Sequence, residues 1–152
     1  MKVLDACCGS KMMWFDKSNE AAVFIDARTE SHILCDGRSL VISPDIECNF
    51  TGLPFDDETF HHIVFDPPHM DSLGANSWMA KKYGRLSDGW ESDIKAGFSE
   101  CFRVLRTNGT LIFKWSSVDI PVSKVLSLTD VIPLYGHKSG KRQNTHWIAF
   151  LK

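Results

Sequence analysis

Leu53-Pro54-Phe55-Asp56-Asp57-Glu58-Thr59-Phe60-His61-His62-Ile63-Val64-Phe65-Asp66-Pro67-Pro68-His69 is the stretch on which the fold turns. Its acidic first half reads as a loop. His62-Ile63-Val64-Phe65 then reads as a short, central apolar strand of a mostly parallel sheet. The strand stops at Asp66-Pro67-Pro68, because proline lacks the ladder N–H and fixes φ. In open α/β sheets, ligands sit beyond the carboxyl ends of the strands, so a carboxylate on a stiff turn there is a candidate functional group.

Upstream, Val3-Leu4 forms a strand ending at Asp5, followed by the turn Cys7-Cys8-Gly9-Ser10 and a short helical piece at residues 12–17. Ala22-Val23-Phe24-Ile25 forms a second strand ending at Asp26. The next segment has no clear period apart from a short strand at Leu40-Val41-Ile42. Downstream, residues 93–105 make the best helix, with Ile94, Phe98, Phe102 and Leu105 near one face. Thr107-Asn108-Gly109 is expected to stop it, and residues 110–115 to form the next strand. Pro121 suits the first turn of a further helix with Val122, Val125 and Leu126 inward. Strands at 131–134 and 147–151 around a polar turn at 136–143 would close the sheet with an antiparallel hairpin on its edge. The expectation is an α/β, Rossmann-like domain spanning residues 1–152, with helices on both faces of the sheet and no repeat or linker.

With 152 residues the chain can bury one core, and 24% charged residues is ordinary for a soluble protein. The net charge of −2 gives no global positive field, although a local basic patch could serve nucleic acid equally well. Five cysteines, without a C-x-x-C pair, argue against a disulfide framework or a structural zinc site, and no metal is expected. No run approaches the ~20 apolar residues of a membrane span and no apolar signal region opens the chain, so the expected location is cytoplasmic, without membrane partners.

At the amino-terminal strand end, Gly9 permits close backbone approach to a ligand. Asp26 stands 17 residues beyond Gly9, near the spacing at which a carboxylate takes a ribose diol in dinucleotide folds. The plainer alternative is that Asp5 and Asp26 end strands and Gly9 makes a turn. Cys7 and Cys8 read as small packed side chains rather than nucleophiles, since no base stands beside them.

Taken in order, these segments resemble the class I S-adenosylmethionine-dependent methyltransferases, specifically the amino-methylating branch that carries Asp/Asn-Pro-Pro-aromatic after its fourth strand. The Asp66-Pro67-Pro68-His69 form is similar to small methyltransferases of phages and prophages. The resemblance covers nearly the whole chain. It implies that Asp5, Ala6, Cys7, Cys8 and Gly9 line the methionine and ribose side of S-adenosyl-L-methionine, that Asp26 holds the ribose hydroxyls, and that Asn49 with Phe50 meets the adenine. Asp45 competes with Asn49 for that last role. It further implies that Asp66 and the Pro67 carbonyl accept the hydrogens of an amine, that Pro68 stiffens the turn, and that His69 stacks on or hydrogen-bonds the substrate. His69 departs from the aromatic residue usual at that place.

Residues 70–90 contain Asn76, Trp78, Lys81, Lys82, Tyr83, Arg85 and Trp90, an interleaving of basic and aromatic groups that suits a lid over nucleic acid. They would equally serve as loop packing with solvated lysines. His137 to Arg142 adds a basic turn that reads either as a second contact or as a solvent-facing tip. Lys114-Trp115 ends a strand near the site, where Trp115 shapes the pocket or caps the core. The acceptor expected is an amino nitrogen of a nucleobase in DNA or RNA. The chain has little room for a separate recognition region, so specificity would come from loops, a homodimer or a partner protein. Alternatives are a protein amide, a small molecule, or a module that binds S-adenosylmethionine without transferring methyl.

Overall fold

Ala22–Asp26 (β2) is buried at all five positions, as a strand covered on both sides must be. In the computed structural model, which describes residues 2–70 and 77–152, β2 lies beside Val3–Asp5 (β1), and β1 lies in turn beside Phe60–Phe65 (β6), all parallel. Glu30–Ile33 (β3) and Ser39–Ile42 (β4) form a separate antiparallel pair, while Ile46–Glu47 (β5) extends the main sheet beside β2. After two helices, Trp78–Tyr83 (α1) and Trp90–Val104 (α2), comes the long strand Leu105–Ser116 (β7), parallel to β6. Val122–Leu126 (α3), Tyr135–Ser139 (β8) and Thr145–Leu151 (β9) complete the chain. The seven-stranded order is β5-β2-β1-β6-β7-β9-β8, with β9 antiparallel to both neighbours. The chain steps from β1 outward through β2 to β5 and then crosses back to β6 on the other side of β1, so the strand order reverses there and a crevice opens above the carboxyl ends.

α2 forms because Ile94, Gly97, Phe98, Cys101 and Val104 make one buried stripe, with Glu91 and Asp93 at its positive amino end and Arg103 at its negative end. That stripe meets Phe65, Phe113 and Phe150 across the sheet face in the main core. Gly97 permits the contact, since a Cβ there would come within 2.7 Å of both Phe50 and Phe65. Arg103 also explains the Leu-Pro-Phe-Asp-Asp run. It donates to the carbonyls of Leu53 and Phe55 and to Asp57, while Glu100 accepts from the Leu53 amide at 2.7 Å, fastening the loop to α2.

Several expectations need correction. Residues 12–17 form successive turns, not a helix, and the smaller core there consists of Cys8, Ala22 and Phe24 closed by Trp14. Among the described residues, α2 and α3 contribute to the main cluster on the other side. α2 ends at Val104 because Leu105 is already extended, so Thr107-Asn108-Gly109 lies within β7 rather than stopping the helix. The edge hairpin is present, but its outer strand is Tyr135–Ser139 rather than 131–134. Ile132 is 83% exposed, which explains why apolar character alone misplaced that strand. No helix among the described residues is long and apolar enough to cross a membrane.

Candidate functional site

Above the crevice lies a cavity of about 410 Å³. Its walls include Ala6, Cys7, Cys8 and Gly9 from the first turn, Asp26, the pair Asn49-Phe50, and Asp66 through His69. Eleven of the thirteen residues to which the resemblance gives cofactor or acceptor roles therefore converge on one space. The two exceptions are Asp5 and Asp45.

Register explains Asp5. It pairs with Phe24 on one side and Val64 on the other, which places Cys7, two residues later, level with Asp26 and Asp66. Asp5 is thus one layer beneath the cavity and wholly buried. Its carboxylate accepts from the Trp14 indole N–H at 2.7 Å and the Cys7 amide at 3.2 Å, holding the turn from below. Burial raises its pKa to about 6, against the pull of the Trp14 hydrogen bond. Because the folded value lies above the ordinary 3.8, the protonated carboxyl favours folding below pH 4, and this advantage disappears as pH rises through 6. Asp5→Asn, which cannot ionise, should therefore gain on the wild type by about 2 kcal/mol between pH 4 and 7, whatever its constant offset. Urea titrations at both pH values measure this, and an unchanged gap would remove the assigned cost of burying the charge.

Asp45 lies outside the cavity. Its carboxylate accepts from the Phe24 amide at 2.9 Å and pairs with Lys11 at 3.7 Å. Of the two adenine candidates only Asn49 lines the cavity, with its side-chain oxygen taking the Thr51 amide and Phe50 braced edge-on against Phe65.

Asp26 is 8% exposed and faces the cavity. It accepts from the Gly9 amide at 2.9 Å and from the backbone and Nε of Arg28. Gly9 has a φ of +50, and a Cβ built there meets nothing within 4 Å, so its glycine identity answers to backbone conformation rather than crowding. Burial pushes the Cys7 thiol up and Cys8 to about 12, so both stay protonated and act as packed side chains.

At the other end, Asp66 follows β6. Lys114, just past the paired positions Phe65 and Phe113, donates to its Oδ2 at 2.5 Å. Asp66 Oδ1 and His69 Nδ1 are both buried without a partner among the described residues. The His69 ring lies 6.0 Å from Trp115 and 6.3 Å from Tyr83, and burial lowers its pKa, so it is neutral at pH 7. With Asp26 and Asp66 two strands apart at one level, about 10 Å separates the two ends of the site.

Sequence reasoning missed Arg28, Trp14 and the role of Lys114. Arg28 spans from Asp26 to the Lys81 carbonyl of α1, tying that helix over the opening. Only three-dimensional register could pair Lys114 with Asp66, 48 positions away. Lys82, Tyr83, Arg85 and Trp90 do line the cavity, Trp90 from the start of α2 near Trp115, whereas Trp78 is 49% exposed and stands outside it. Asn76 lies outside the described residues.

No protein-family model and no curated protein matches the chain. Solved structures do. A protein from Pyrococcus horikoshii OT3 superposes with a TM-score of 0.59 at 16% identity, over 99% of this chain and 81% of that one. A TehB-like SAM-dependent methyltransferase from Corynebacterium glutamicum gives 0.59 at 14% identity, over 99% and 79%. The 1,6-didemethyltoxoflavin-N1-methyltransferase of Burkholderia thailandensis, with its namesake compound and S-adenosylhomocysteine bound, gives 0.56 at 11% identity, over 99% and 70%. The strand order, the antiparallel closing hairpin and the crevice at the switch point together give this chain the Rossmann-like fold of the class I methyltransferases.

Proposed function

We propose that the chain is an S-adenosylmethionine-dependent methyltransferase acting on an amino nitrogen of a nucleobase. The observation that carries the reading is the buried Asp66 Oδ1, without a partner among the described residues, in the wall of the cavity that also contains Asp26. A buried carboxylate oxygen without a donor is costly, and a ligand N–H would satisfy it.

The residues fit the cofactor. Asp26 keeps an acceptor position for ribose hydroxyls once the flexible Arg28 Nε moves aside, since a carboxylate offers about four. Asn49 and Phe50 provide a polar and an aromatic neighbour for adenine. When bound, S-adenosylmethionine supplies an electrophilic methyl group. The protein's contribution is then mainly to position the acceptor nitrogen. Lys114 fixes the Asp66 carboxylate by one oxygen, leaving Oδ1 to accept an amine hydrogen. The prolines stiffen the turn. An amine whose hydrogens are held by acceptors withholds less of its lone pair from the electrophile. Neutral His69 offers a planar substrate its ring face and an Nδ1 that has no partner among the described residues. The proton can leave after transfer, so no tuned base is required.

Asp26→Ala should weaken S-adenosylmethionine binding by about 1–3 kcal/mol in calorimetry, the range for a charge-assisted hydrogen bond. Unchanged binding would remove Asp26 from the site. Radiolabelled methyl transfer offered in parallel to DNA, RNA, protein extract and small heterocycles tests the acceptor. A second reading, a free heterocyclic amine, is favoured by the likeness to the N1-methyltransferase named above. Label confined to small molecules would select it, and label in protein would select an amide. Label in nucleic acid would leave loops, a homodimer or a partner protein as the source of specificity.

A further inference from the structure

Basic charge is segregated in this chain. Residues 131–152 contain Lys138, Lys141, Arg142 and Lys152 without one acidic residue, although the whole chain has a net charge of −2. Lys152 is spent on Glu58 and the Leu105 carbonyl. Lys138, Lys141 and Arg142 are exposed on the β8–β9 hairpin and form no ion pair among the described residues.

Topology brings this hairpin to the site. β7 runs toward the carboxyl end of the sheet, and its last residue, Ser116, pairs with Thr145, the first of β9. The turn preceding Thr145 therefore lies at the same end as Asp66. It is tightly built: Gln143 N–H donates to the Gly140 carbonyl at 3.1 Å, and Ser117 N–H to the Asn144 carbonyl at 2.9 Å. Lys114, Trp147 and His137 are paired neighbours on three successive strands, so they share one face. The Lys114 ammonium lies 5.5 Å from the Trp147 ring, whose N–H donates to Ser139 at the hairpin's end. A cationic and aromatic row thus leads from the Asp66 partner to the sheet edge, about 10 Å away across two strand spacings. On the opposite side of Asp66, at the β2 end of the sheet, stands α1 with Lys81 and Lys82.

We propose that the β8–β9 hairpin is a phosphate-binding arm that grips the backbone of a single-stranded polynucleotide beside the base held at Asp66. This rests on the nucleobase reading above and extends it to a polymeric substrate. Exposed cations on the hairpin, with Lys138 on the face opposite His137 and Lys141 and Arg142 at the tip, stand beside a half-buried indole and match the charge and stacking surfaces of a single strand. A rigid hairpin also loses little freedom when it binds.

The test compares the full chain with a Lys138→Ala, Lys141→Ala, Arg142→Ala variant, both saturated with S-adenosylhomocysteine. Fluorescence anisotropy of a labelled 20-nucleotide single strand is followed across sodium chloride concentrations. The variant should bind at least about tenfold more weakly at 0.1 M salt, with a salt slope shallower by about 2, at roughly 0.7 per lost phosphate contact. The triple arginine or lysine exchange should retain binding, and unchanged S-adenosylhomocysteine affinity shows that the alanine variant is folded. Equal affinity and slope for variant and wild type would overturn the arm while leaving nucleobase methylation standing, provided the wild type still labels the strand. A wild type that neither binds nor labels nucleic acid overturns both. Equally tight, equally hairpin-dependent binding of polyglutamate would assign the arm to acidic protein instead and overturn the proposal.

Discussion

Asp66→Ala should lower methyl transfer by roughly 10²–10³-fold, the loss typical when one preorganised electrostatic partner is removed from a reacting group, while cofactor affinity stays within about twofold. Two features separate these quantities. Asp66 stands after β6 beside Lys114, whereas the proposed ribose and adenine contacts come from Asp26, two strands away, and from Asn49 and Phe50, which follow β5. In addition, Oδ1 has no donor among the described residues, which leaves it to a ligand that enters the cavity. An acceptor that acts more strongly in the transition state than in the ground state lowers kcat without a matching change in ligand binding. The substitution also leaves the Lys114 ammonium without its carboxylate. Lys114 retains 22% side-chain exposure, so it can turn toward water and the fold should survive. Asp66→Asn is the control for that displacement because it keeps the side-chain volume. Single-turnover rates and calorimetry with S-adenosylhomocysteine supply the two numbers. A parallel loss of cofactor binding and rate in Asp66→Ala would mean that this turn builds the cofactor site rather than the acceptor site.

The parts legible in the sequence are those fixed by local chemistry. Proline after an apolar run stops a strand, and Asp66-Pro67-Pro68 follows β6 as expected. The buried stripe of α2 has helical spacing and needs no knowledge of its partners. Asp26 and Gly9 stand at strand and turn ends, and the structure joins them through a 2.9 Å hydrogen bond. What was not legible depends on register between distant segments. Asp5 and Asp26 look equivalent as acids ending strands, yet a two-residue offset puts one beneath the cavity and the other in its wall. Asp45 precedes the adenine pair by four residues and resembles a candidate, but its oxygen satisfies the Phe24 amide of the neighbouring strand. Residues 12–17 carry helix-compatible apolar side chains, yet Phe15 stays fully exposed, and Trp14 donates downward to Asp5 instead of forming a stripe. A helix does not form there because so short a segment has no long apolar face to bury.

Trp115→Ala should cost about 3–5 kcal/mol, the usual range for emptying a large aromatic site in a core. That is a large part of the 5–15 kcal/mol by which domains are ordinarily stable. Trp115 is fully buried at the end of β7. Its ring lies 5.9 Å from Phe113 and 6.5 Å from Trp90, and its N–H donates to the Ile120 carbonyl at 3.0 Å, fixing the bend that leads into α3. Alanine would leave a void and a buried carbonyl without its donor. Trp115→Phe should lose less, because it keeps a ring in place and forfeits mainly the hydrogen bond, worth about 1–2 kcal/mol. Urea midpoints at constant m-value distinguish the two losses from a change in the unfolded state. The same side chain also forms the wall behind His69, 6.0 Å away. Where both variants are fully folded, Trp115→Ala should therefore still turn over more slowly than Trp115→Phe, because a histidine without that wall can leave the orientation that presents Nδ1 to the substrate. Equal rates in the folded variants would confine Trp115 to the core and leave Asp66 and the proline turn to position the acceptor without it.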